Sequence, residues 1–366
     1  MRSAVGGPVS SPGPAVGPAV GPALRISVVL CVHAEDGVRA EDRWDGILAA
    51  VASVREQSHP AHELLLVVDH RQRQLLGRLR EGGAAPGRPP RTPLRIVADA
   101  DPRGLPAGRN TGIAAADGEV VAFLDVDAVA ERDWLRHFAA AYADPAVMAV
   151  GGRTEPAWES GRRPGWFPEE FDWAVGCAYR GLPPGKARVR TVPEGNASFR
   201  RVAFDLVGGF PAGTGPDSGR LPAGHAQTEL CLRITRELPD AVLLTDDRAV
   251  VHRRVRPARQ RFGHFLGRAY AEGLARGLMA REAARGVRAL DGPAAGRHYT
   301  TRVLPAALLR GVRDALRGRP GGAGRAGAVV AGAAAAAGGR LWGALRPVRR
   351  VSRHGGAAHA DPSDRP

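Results

Sequence analysis

At 366 residues the chain can bury the core of one large domain or two ordinary ones, and its three cysteines, Cys31, Cys177 and Cys231, lie too far apart for metal-ligand spacing or a disulfide framework. Lys plus Arg number 52 against 37 Asp plus Glu, yet the excess is confined to one stretch. Residues 1–251 hold 29 basic and 31 acidic groups, a net of −2, while residues 252–353 hold 22 and 4, a net of +18, so a near-neutral globule precedes a cationic segment.

The first 24 residues read as a disordered lead, because prolines at 8, 12, 14, 18 and 22 break any apolar helix or signal peptide. Ile26 to Val32 is apolar except for Ser27, the pattern of a parallel strand covered on both faces. His33 to Asp42 is polar and reads as a loop. Trp44 to Arg55 carries apolar residues at a helical period, and Leu64 to Val68 is a second buried strand that ends in Asp69. A basic helix over Arg71 to Arg80, a Pro/Gly loop over Gly82 to Pro93 and a third strand over Leu94 to Ala98 follow. Asn110 to Ala116 reads as a short helix and Val120 to Leu124 as a fourth strand. Alternating strands and helices predict an α/β sheet with crossover helices, whose ligands sit beyond the carboxyl ends of the strands.

Asp69, Asp125 and Asp127 all stand at such ends. Asp125 and Asp127 lie two apart, so in an extended chain both carboxylates point to one side, as a hard divalent cation shared with phosphate oxygens requires. Taken alone, so short a pattern is more simply a strand end and a turn. Its neighbours change that. The succession SVVLCVHAED, ELLLVVDH, RGLPAGRNTGIAAADGEVVAFLDVDA, VPEGNASFRRVAFDLVGGF and TELCLR resembles a bacterial family 2 glycosyltransferase of the GT-A fold, a Rossmann-like nucleotide-diphospho-sugar transferase domain, over about residues 25–275. The resemblance implies an inverting transfer of a sugar from a nucleotide-diphosphate donor to a hydroxyl acceptor. It also implies that Asp69 binds nucleobase or ribose, and that Arg109, Asn110 and Asn196 line the donor site with Asp125. Asp125 and Asp127, with His252 in reach, would hold Mn²⁺ or Mg²⁺ on the diphosphate. A lone His is as often a satisfied structural residue.

The sequence departs from the family at one place. The family reads an acidic pair before TELCLR, whose second member takes the acceptor's proton; Ala226 and Gln227 stand there instead. Gln227 has no group that accepts a proton at neutral pH. Glu229 holds the next acidic position of the motif and is the expected base, with His225 nearby; its plain alternative is a pair with Arg233 four residues on. Loss of the acidic pair also fits a catalytically silent homologue that binds nucleotide-sugar or a partner. Trp158, Trp166, Phe167, Phe171 and Trp173 fall within sixteen residues of a chain only 5% aromatic. They read as satellite core or as a platform on which an acceptor sugar stacks.

Beyond the domain expected at residues 25–251, residues 252–350 read as a basic helical extension and residues 351–366 as a disordered tail. Apolar residues recur at helical spacing over 262–270 and 303–316 beside arginines, a pattern that suits an anionic membrane surface or a solvated face of packed helices. The uncharged run Ala326 to Gly339 is 14 residues, shorter than the roughly 20 that a span needs. A peripheral enzyme at the inner, cytoplasmic face of the membrane is therefore expected. The sequence pI of about 11.2 alone would suit a nucleic-acid binder, but no zinc spacing, helix-turn-helix or RNA-binding aromatic pair supports that, and no nucleic-acid partner is expected.

Overall fold

Four aliphatic, β-branched runs build the parallel half of one sheet in the computed structural model, which describes residues 24–33, 41–82, 92–99, 101, 103–211, 226–284 and 297–345. They are β1 (Ile26–Val32), β2 (Glu63–Asp69), β3 (Leu94–Asp99) and β4 (Val120–Leu124), in the order β3-β2-β1-β4. Alternate side chains serve opposite faces. Ile26, Val28 and Leu30 pack with Leu64, Leu66 and Val68 under α1 (Glu41–Arg55), α2 (Arg73–Gly82) and a later helix, α4 (Trp134–Ala141). Val29, Leu65, Val67 and Phe123 face α3 (Leu105–Ala115), α5 (Arg201–Val207) and α6 (Ala226–Glu237). Ser27, the one polar residue of β1, is part of a buried network. Its hydroxyl donates to Glu63 Oε1 at 2.7 Å and accepts from Gly118 N at 2.8 Å, while Arg95 holds Glu63 Oε2 at 2.7 Å.

The remaining strands are β5 (Ala128–Ala130), β6 (Val147–Trp158), β7 (Lys186–Arg188), β8 (Asn196–Arg200) and β9 (Val242–Val255). They extend the sheet as β4-β8-β6-β9-β5, with β7 on β9. Strand limits follow the sequence closely, whereas α3 begins five residues before the expected Asn110. Pro106 lies in its first turn, where a missing N–H costs nothing, so Arg109 and Asn110 fall mid-helix. A domain boundary at 251 would cut β9, which runs on to Val255 because Arg253 and Val255 still pair across the sheet.

After β9 a 3₁₀ turn (Pro257–Gln260) leads into α7 (Phe262–Ala284), α8 (Leu304–Leu316) and α9 (Gly322–Leu345). This layer shares a core with the sheet domain. Phe167 and Phe171 are buried against Phe265, and Trp158, Trp166 and Trp173 pack around them, so the aromatic run is core and not an open platform. α9 is longer than its apolar run predicted, 24 residues or about 36 Å, because Gly322–Arg325 and Arg340–Leu345 continue the helix. By length and composition it could cross a bilayer, although 28% of its apolar window is buried in the protein. The lead over 1–23, the loops over 34–40 and 83–91, His225 and the tail beyond 345 lie outside the described residues.

Glycines bring α7 and α9 into backbone contact. A Cβ on Gly273 would run into the carbonyl oxygen of Ala336, and one on Gly339 into that of Tyr270. Gly273→Leu should therefore destabilise the protein by about 1–3 kcal/mol, read as a lower urea midpoint. Gly338→Leu, whose Cβ meets nothing within 4 Å, should cause no such loss.

Candidate active site

β4 ends at Leu124 and the chain turns at once, with Ala128 N donating to Asp125 O at 3.0 Å. The turn delivers β5, which pairs antiparallel with β9 so that Ala128 lies opposite Arg253. Arg254 N closes the joint on Asp127 O at 2.7 Å. This register puts the Arg253 guanidinium on both carboxylates, Nη2 2.9 Å from Asp125 Oδ2 and Nε 3.4 Å from Asp127 Oδ1. Arg259, in the 3₁₀ turn, stands 3.4 Å from Asp127 Oδ2. From α3, Arg109 places one nitrogen 3.8 Å from Asp125 Oδ1 and another 3.8 Å from Glu194 Oε1. It is only 3% exposed, with the Phe210 ring 5.3 Å away. Burial works against the charge of Arg253, but the Asp125 and Asp127 carboxylates outweigh it and hold its pKa above the usual value.

Gly195 shapes the same corner. Its φ of +75° is left-handed, and a Cβ there would run into the Asp125 carboxylate. Its carbonyl accepts Asp125 N at 3.2 Å.

At the ends of β2 and β3, Asp69 and Asp99 sit side by side in register, both buried. Arg71 forks onto Asp69 with Nη2 2.5 Å from Oδ2, and His33 and His70 each lie 3.7 Å from it. Thr111 Oγ1 donates to Asp99 Oδ1 at 2.9 Å. The mouth therefore holds two carboxylate stations, one at Asp69 and Asp99 and one at Asp125 and Asp127.

The side chains of the other expected residues are engaged by partners within the protein. Asn196 is fully buried; its amide accepts from Trp134 Nε1 at 2.8 Å and donates to Arg153 O and Ala249 O, which leaves it nothing to offer a ligand. Asn110 forms a paired bond with the backbone of Phe210, Nδ2 to its O at 2.8 Å and Oδ1 from its N at 2.7 Å, and so fixes the ring beside Arg109. Gln227 is buried and donates to Val192 O at 3.0 Å and to Pro193 O at 2.5 Å, pinning the segment that carries Glu194. Glu229 forms the i,i+4 pair with Arg233, Nη2 to Oε2 at 2.6 Å, and Arg233 also donates to Val207 O and Gly209 O behind α5. His252 Nε2 lies 3.0 Å from Glu131 Oε1.

Sequence reading passed over Arg253, Arg259, Glu194 and Asp99. The signal for Arg253 was present: Val251 and Val255, both fully buried, put position 253 on their face of β9 and His252 on the other. The contacts of Arg259 and Glu194 depend on how distant segments meet, which no local spacing reports.

The hydrogen bonds from Arg71 hold the Asp69 carboxyl at a pKa of about 2, against its usual 3.8. A depressed carboxyl binds its proton more weakly in the folded state, so its stabilising contribution is full above about pH 4 and fades as pH falls toward 2. Asp69→Asn should flatten the dependence of the urea midpoint on pH within that window and leave its slope above pH 5 unchanged.

Residues 27–208 match the profile described as Glycosyl transferase family 2. The chain is 29% identical over 257 residues to a glucosyl-dolichyl phosphate glucuronosyltransferase of Haloferax volcanii, covering 70% of this chain and 77% of that one. It is 34% identical over 109 residues to the pre-mycofactocin glycosyltransferase of Mycobacterium tuberculosis, which covers 30% of this chain and 23% of that protein. Among solved structures, the mannosyltransferase of Pyrobaculum calidifontis in complex with GDP-Man and Mn²⁺ shares the fold, with a TM-score of 0.51, 20% identity and 87% of each chain covered. The sheet order, the helices on both faces and the helical C-terminal layer are those of a GT-A domain with an extension, and the chain belongs to glycosyltransferase family 2.

Proposed function

We propose that this glycosyltransferase moves a sugar, with inversion, from a nucleotide-diphosphate donor to a hydroxyl acceptor, with Asp125 and Asp127 holding Mn²⁺ or Mg²⁺ at the diphosphate. The observation that carries this reading is the Asp125–Asp127 turn at the carboxyl mouth of the parallel strands, ringed by Arg109, Arg253 and Arg259. The donor set fits such an ion. Two hard oxygen donors, with room beside Asp125 that only a glycine at 195 leaves, suit a cation that takes its other ligands from phosphate and water. No group of three or more His, Cys, Asp or Glu suited to a metal ion occurs among the described residues, and His252 would join only by releasing Glu131. A bound cation of this kind neutralises the charge that grows on the leaving diphosphate.

The chain's own residues do the rest. Asp69, kept ionised, accepts hydrogen bonds from ribose or nucleobase, with Asp99 beside it. Arg109 offers fixed positive charge to diphosphate oxygens without reorganisation, and Arg253 is within reach of the same oxygens from its seat on the two carboxylates. Asn110 and Asn196 hold the walls. The acceptor proton requires a base, a contribution of about 10²–10⁴ in rate. Glu229 holds the family's acidic position, but its carboxylate is forked by Arg233. Glu194, at the mouth with only a 3.8 Å approach from Arg109 among its ion pairs with the described residues, is the rival that geometry favours. A second reading, a silent homologue that binds donor without transfer, draws on Gln227.

The helical layer supplies the setting. Leu309, Val312 and Leu316 on α8, and Val330, Leu341, Trp342 and Leu345 on α9, are exposed beside arginines of a segment with a net charge of +18. We assign this face to an anionic membrane surface on the cytoplasmic side. There it would meet a lipid-borne acceptor of the kind named for the Haloferax relative.

Calorimetry with UDP and GDP should show binding that requires Mn²⁺ and is lost in Asp127→Ala, and a panel of nucleotide-sugars should yield slow donor hydrolysis. Glu194→Gln should lower that hydrolysis about 100-fold with donor binding kept, whereas Glu229→Gln should act mainly on thermal stability. The reverse pattern returns the base to Glu229, and binding without turnover of any donor establishes the silent reading.

Flotation with anionic and neutral vesicles tests the membrane face. Binding to anionic vesicles should weaken as salt rises, each basic residue near the surface contributing about 1 kcal/mol at low salt. Replacing Leu341 and Trp342 by Ser should reduce it further. Equal binding to neutral vesicles that survives high salt would instead mean insertion of α9.

A further inference from the structure

The Arg253 guanidinium rests on the two carboxylates assigned above to a divalent cation. We propose that Arg253 couples cation and nucleotide. It competes with the cation when the cation arrives alone, and passes to the diphosphate when both arrive together, so that each ligand tightens the binding of the other. The inference rests on the metal-dependent donor reading.

Charge is the first ground. Around the turn, the guanidiniums of Arg109, Arg253 and Arg259 meet the carboxylates of Asp125, Asp127 and Glu194, three of each sign. Asp125, Asp127, Arg253 and Arg259 are each about one quarter exposed or less, so charges there are less screened than on an open surface. A divalent cation alone would upset the balance by two units in that setting. A nucleoside diphosphate brings more negative charge than the cation brings positive, and so removes that excess. Shape is the second ground. The planar fork of an arginine matches phosphate oxygens as well as it matches carboxylates, so Arg253 loses no pairing by the exchange.

Attachment is the third. The backbone of residue 253 is fixed by pairing with β5 on one side and β6 on the other. Its side chain also makes a 3.5 Å bond from Nη1 to Gly176 O. The Cα is therefore held at the site while the guanidinium can change partners. Coupling of this sort is reciprocal: whatever factor the nucleotide adds to the affinity for the cation, the cation adds to the affinity for the nucleotide.

The test is calorimetry of the full chain with MnCl₂ alone, UDP or GDP alone, and each nucleotide with MnCl₂. In the wild type, Mn²⁺ should bind at least about tenfold more tightly with nucleotide present than alone. Arg253→Gln should bind Mn²⁺ alone at least about fivefold more tightly than the wild type, while Mn²⁺ with nucleotide weakens and the coupling shrinks. Arg253→Lys keeps the charge without the fork, so it should still disfavour Mn²⁺ alone yet lose affinity for nucleotide. Unchanged or weaker binding of Mn²⁺ alone by Arg253→Gln, in a wild type that binds Mn²⁺ and nucleotide together, overturns the coupling and leaves the donor reading standing. A wild type that binds neither nucleotide at any Mn²⁺ concentration overturns the donor reading and the coupling with it. Should Arg253→Gln lose its far-ultraviolet dichroism, Arg259→Gln makes the same comparison, and its failure to tighten Mn²⁺ binding overturns the proposal.

Discussion

Three residue pairs between β5 and β9 hold the two ends of this chain's chemistry together. The aspartates arrive in the turn that follows β4, at the edge of the parallel half of the sheet, and two of the arginines that face them, Arg253 and Arg259, arrive on β9 and in the 3₁₀ turn after it. Without the β5–β9 ladder neither set has a reason to meet the other. The ladder is short, but it is reinforced by the bond from Arg254 to Asp127 O and by the long parallel pairing of β9 with β6. Those backbone bonds fix direction as well as distance. A slip of one residue would turn Arg253 out and His252 in.

A similar economy governs the loop around Glu194. Gln227 lies in the core of α6 and binds two successive carbonyls, while Arg233, one turn and a half further on, binds two more behind α5 and takes Glu229 with them. Helix α6 is thus tied to the site by amide and guanidinium donors. At this position the Gln227 amide supplies bonds to the Val192 and Pro193 carbonyls. Gln227 thus has a structural part, holding the segment that leads to Glu194.

Much of this was legible from residue order. Ile26–Val32 and Val120–Leu124 are strands with the limits that their apolar runs predict, because a strand buried on both faces tolerates almost no polar residue. Asp69, Asp125 and Asp127 end at one mouth because parallel strands all point the same way. Residue order is silent where a side chain's partners come from distant segments. Asn110 and Asn196 stand in the expected segments, yet their amides are taken by Phe210, Trp134 and two carbonyls from distant strands. The aromatic run had two readings, and only the arrival of Phe265 from α7 decides for core. The length of α9 was missed because flanking Gly and Arg residues interrupt an apolar count without interrupting a helix.

The glycine contacts between α7 and α9 have one more implication. Helices that meet through backbone atoms are held by close-range dispersion more than by the expulsion of water. Such a joint keeps most of its cohesion when the surrounding medium changes from aqueous to hydrocarbon. The pair is therefore a stiff unit whose inner edge is anchored in the aromatic core. A change of solvent from water to mild detergent should leave the pair's geometry, and with it the seat of Arg259 at the turn into α7, undisturbed.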